Sequence, residues 1–80
     1  MPAVADLTLY EKEAKAASRE SILRRLKIYH RNLNHLMETK AQYGLDVPTH
    51  LSNEIEATEE AIARLEQELS ELDHKTFENG

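Results

Sequence analysis

Cysteine and tryptophan are missing from this 80-residue chain, and phenylalanine occurs once. Without cysteine there is no disulfide, no zinc–thiolate site and no thiol nucleophile. One Phe and three Tyr are thin material for a globular core, and so short a chain buries little apolar surface without a staple. Glycine stands only at 44 and 80, so there is no Gly-rich loop to cradle a phosphate. No apolar run approaches the roughly 20 residues of a membrane span. The opening Met1-Pro2-Ala3-Val4-Ala5-Asp6 lacks the basic region and long apolar stretch of a signal peptide. The setting expected is cytoplasmic.

What is present is periodic. Ile22, Leu26, Tyr29, Leu33, Leu36, Lys40 and Tyr43 run in alternating steps of four and three, as do Leu51, Ile55, Thr58, Ile62, Leu65, Leu69 and Leu72. Residues so spaced share one helix face, and their mean spacing marks a coiled-coil seam. Between the stripes lies Gly44-Leu45-Asp46-Val47-Pro48. Gly44 suits a left-handed C-terminal cap, with Leu45 available for the accompanying apolar contact. Pro48 suits the first turn of a following helix, where its missing N–H costs nothing. The fold expected is an all-α antiparallel helical hairpin with helices at about 19–43 and 48–73. A shorter N-terminal helical segment precedes it, and dimerisation offers one way to complete a bundle. The chain divides into an extension or short helix at 1–18, the hairpin at 19–73 and a loose tail at 74–80.

Folding the chain at the turn pairs Ile22 with Leu69, Leu26 with Leu65, Tyr29 with Ile62, Leu33 with Thr58, Leu36 with Ile55 and Lys40 with Leu51. Leu26, Tyr29, Leu33, Leu36, Ile55, Ile62, Leu65 and Leu69 are expected to be the most buried. Charge supports self-pairing. Residues 18–43 carry Arg19, Arg24, Arg25, Lys27, Arg31 and Lys40 against Glu20 and Glu38, whereas residues 44–80 carry ten acidic groups against Arg64 and Lys75.

Residues 1–5 read as frayed, and Asp6 or Thr8 as a helix cap, with Thr8-Leu9-Tyr10-Glu11 matching the capping-box pattern. Leu7, Tyr10, Ala14 and Ala17 then form a modest apolar stripe, one residue out of register with the stripe from Ile22. Residues 6–17 are therefore either a separate helix or an extension with a rotated face. No glycine or proline interrupts residues 3–43, so a continuous helix is also open.

Leu23, His30 and Met37 flank the first seam at one heptad position. With Leu7 and Tyr10 they form the candidate interaction surface. It suits packing by the N-terminal segment, by a second copy in a homodimer, or by another protein. Catalytic, cofactor and metal sites are not expected. His30 and His35 are five residues apart and point to different sides of a helix, and Ser18, Ser21, Ser52 and Ser70 have no evident base. The reading is a non-catalytic interaction or oligomerisation module. The alternatives are a small accessory subunit of an enzyme complex and, less favoured, a nucleic-acid-binding helix pair. For the last, Arg24, Arg25, Lys27 and Arg31 supply charge, but no aromatic platform is interleaved with them.

The stretch from Arg31-Asn32-Leu33 through Tyr43-Gly44-Leu45 to Pro48 and Leu51, continuing to Asn53-Glu54-Ile55-Glu56 and Ala63-Arg64-Leu65-Glu66, resembles a helical hairpin recurring in bacteria. That hairpin adjoins effector or regulated-ATPase domains in multidomain signalling and conflict-system proteins. The resemblance covers roughly residues 22–72 and implies an adaptor or coupling element without catalysis of its own.

Overall fold

The computed structural model describes residues 2–74, with side chains from residue 8 onward. Two helices make up the fold, α1 at Pro2–Tyr43 and α2 at Thr49–His74. They pack antiparallel, and the tail read at 75–80 lies outside the described residues.

Gly44 makes the reversal possible. Its φ of +65° is a left-handed conformation that costs an L side chain roughly 1–2 kcal/mol. Its N–H donates to the Ala41 carbonyl at 3.4 Å, satisfying one of the acceptors orphaned at the helix end. Asp46 N–H donates to the Tyr43 carbonyl at 3.3 Å. The Pro48 carbonyl then accepts from the N–H groups of Leu51 and Ser52, so Pro48 stands just before the first helical residue. Leu45 makes no capping contact. It is fully exposed at 103 %, and its apolar side chain projects from the tip of the turn.

The seam follows the two heptads. Ile22, Leu26, Leu51, Ile55, Ile62 and Leu65 are buried, each between 5 and 8 % exposed. Tyr29, Leu33, Leu69 and Leu72 pack against the cluster of Ile22, Leu26, Ile62 and Leu65. No described side chain falls below 2 %, because two cylinders touch along a line and leave both flanks of it to water. This limit moves four of the eight expected core residues, Tyr29, Leu33, Leu36 and Leu69, into the half-buried class. Lys40 and Tyr43, the seam positions nearest the turn, are exposed. Thr58, the polar seam position of α2, donates its hydroxyl to the Glu54 carbonyl at 2.8 Å and so satisfies itself within its own helix.

For the N-terminal segment, the structure selects the extension with a rotated face over a separate helix. Residues 2–5 are helical, not frayed, and residues 6–17 belong to α1 without a break. Thr8 lies inside the helix, so Thr8 to Glu11 is not a helix start. A change of apolar face is not a change of element, because nothing between Ala3 and Tyr43 stops helix propagation. Pro2 is tolerated because it opens the helix. Arg19 stands opposite Asp73, near the end of α2. Residues 2–18 therefore project beyond the last described turn of α2 as a single-helix arm about 25 Å long. The elongated dimensions, 67 × 18 × 14 Å, reflect this.

Candidate protein-interaction surface

The large apolar side chains left in water are distributed unevenly. Leu9, Tyr10, Leu23, Ile28, Met37 and Tyr43 are exposed on α1, and Leu45 on the turn. Among the described residues, α2 contributes none. Its spare surface is glutamate-rich, with alanines at 57, 61 and 63.

The candidate residues fall on two faces. Leu23, His30 and Met37 lie seven residues apart beside the seam, with Leu23 40 % and Met37 45 % exposed. Arg19, four residues before Leu23, shares that side and pairs across the hairpin with Asp73. Tyr10, 67 % exposed, is thirteen residues before Leu23, which turns it about 140° away around a straight helix. The side chain of Leu7 lies outside the described residues. The five positions therefore do not make one patch.

Ile28, 51 % exposed, lies on another side of α1 from the hairpin seam and outside the five candidate positions. Eighteen residues after Tyr10, it lies five whole helical turns along the same face. That spacing was the available signal. Between them, Ala14, Ala17 and Ser21 keep the face slim.

Two shallow depressions lie on the flank of the seam nearer to this second face. Arg25, Tyr29, Ala61, Arg64, Leu65 and Glu68 line one, and Asn32, His35, Leu36, Glu54 and Thr58 the other. Arg25 and Glu68 thus meet in one depression as the register requires, although the Arg25 guanidinium donates to Ser21 Oγ at 3.3 Å. Likewise Arg24 pairs with Glu20 on its own helix at 3.0 Å. The basic helix spends part of its charge locally and meets the acidic helix at Arg19–Asp73.

Among the described residues no three His, Cys, Asp or Glu side chains form a group that could hold a metal ion. No buried side-chain polar atom among them lacks a hydrogen-bond partner. No described helix is long and apolar enough to cross a membrane. Comparison with protein-family models, with curated proteins and with solved structures finds no match to this chain.

Proposed function

We propose that this chain is a non-catalytic protein–protein interaction module, an adaptor or oligomerisation element that binds through faces of α1. The observation that carries the reading is the asymmetry between the helices. Scattered exposed apolar residues are ordinary on any protein. Here, among the described residues, they gather on α1 and the turn, and the stripes beside and behind the seam stay exposed rather than packing on α2. Helices that present residues at heptad spacing are read by other helices. A cytoplasmic setting accords with the cysteine-free sequence, and the resemblance of the turn region supports an adaptor of bacterial type.

The test is affinity capture with the full chain from its native host, read by mass spectrometry, beside Leu23→Asp/Met37→Asp and Tyr10→Asp/Ile28→Asp variants. A protein retained by the parent chain and lost with either variant is expected. A parent chain that retains nothing and keeps a monomeric mass at all concentrations refutes the proposal. Salt-sensitive binding of DNA or RNA in its place would move the function to the nucleic-acid class.

A further inference from the structure

The arm of α1 has a partner of matching chemistry in a second copy of α1. Tyr10, Ala14, Ala17, Ser21, Arg24 and Ile28 follow steps of four and three, so they form a heptad seam of their own. It lies about 120° around α1 from the seam that packs on α2, where α2 does not obstruct it. Tyr10 and Ile28 stand at its ends, and between them lie the small Ala14, Ala17 and Ser21 and the charged Arg24.

Charge decides what covers this face. Flanking the seam in the arm are Glu11 on one side and Glu13 on the other. Two heptads further on, at the equivalent flanking positions, are Arg25 and Lys27. An acidic end and a basic end on one face complement each other when two copies run antiparallel. We propose that two chains associate through this face about a two-fold axis near Arg19. Tyr10 of one copy then packs on Ile28 of the other, and Ala17 on Ser21. Glu11 meets Arg25, and Glu13 meets Lys27, twice each by symmetry.

Glu20 meets its own copy at the axis, and Arg24, 3.0 Å from it, balances that charge. Sliding the pairing one heptad to shorten the overlap separates Tyr10 from Ile28 and loses both arm glutamate contacts. That slide also brings Glu13 against Glu20, and sliding the other way sets Glu11 and Glu13 opposite Asn32 and Asn34, so both arm glutamate contacts are lost again. The arm of each copy thereby lies alongside the other's hairpin.

This inference rests on the interaction-module reading and commits it to a second copy. Sedimentation equilibrium of the full chain should give a mass rising to twice 9.2 kDa. Glu11→Lys/Glu13→Lys and Arg25→Glu/Lys27→Glu should each weaken the dimer by about tenfold or more, and mixing the two variants should restore it as a heterodimer. Helical circular dichroism is recorded for each to establish that the hairpin remains folded. The chain has no native cysteine, so Ser18→Cys, which faces its own copy beside the axis, should oxidise to a disulfide-linked dimer, while Ser52→Cys on α2 should not. A dimer indifferent to both charge reversals and not trapped through Ser18→Cys would overturn this interface while leaving an interaction module. A chain monomeric at every concentration would overturn the self-association outright; capture of a different protein would then still support the broader function.

Discussion

Arg19 Nε lies 3.0 Å from Asp73 Oδ1, an ion pair between residues 54 apart in sequence. It closes the end of the hairpin away from the turn and marks where α1 leaves α2. Both side chains are 40–50 % exposed, so water and salt screen the attraction.

Arg19→Ala should therefore cost only about 0.2–1 kcal/mol, and less in high salt. A double-mutant cycle with Asp73→Ala in urea measures the coupling. A value above about 2 kcal/mol would mean that the pair is better shielded than its exposure indicates.

Leu65→Ala should be the costlier of two truncations in the seam. Leu65 is buried in the central cluster, and removing such a side chain costs about 2–5 kcal/mol. Leu36 is only half-buried and borders the depression with Asn32 and His35, so Leu36→Ala should fall nearer the lower bound. Denaturant midpoints of the two variants, compared at equal concentration, check the order.

Gly44→Ala tests the turn. No heavy atom lies within 4 Å of where the new Cβ would stand, so crowding is not the obstacle. The positive φ is, and a loss of roughly 1–2 kcal/mol is expected from it. Gly44→Asn should cost less than Ala, because Asn tolerates this conformation better. Thermal unfolding of the pair distinguishes backbone strain from packing.

Leu45→Ser should leave stability within about 0.5 kcal/mol of the parent, as surface changes usually do. Full exposure of Leu45 gives it no contact to lose. A larger drop in the melting midpoint would show that the side chain caps α1 in solution.

The hairpin was legible because its signals agree. Gly44 and Pro48 bracket a turn of the right length, and the stripes through Ile22 and Leu26, and through Ile62 and Leu65, fix one register. The helix ends near the turn were less so: periodicity put Lys40 and Tyr43 on the seam, but both side chains are exposed there, while Leu51 opposite is buried. The single helix from Pro2 to Tyr43 was obscured by the slip in apolar phase between Ala17 and Ile22. That slip reads as a boundary only if each helix is assumed to serve one partner. Tyr10 was grouped with Leu23 for the same reason, as pattern reading recorded that both were spare without recording their angle around the helix.

The unbroken α1 is also a lever. Its 42 residues form a rod about 63 Å long, packed on α2 along its second half and projecting beyond the described end of α2 along its first. Torsion and tilt imposed on the clamped half pass to the tip without a hinge to absorb them. A tilt of about 10° at Arg19 swings the tip by roughly 4 Å, nearly the spacing of adjacent side chains on a helix face. Small changes in how the hairpin is gripped are thus enlarged at the far end into the difference between one binding register and the next.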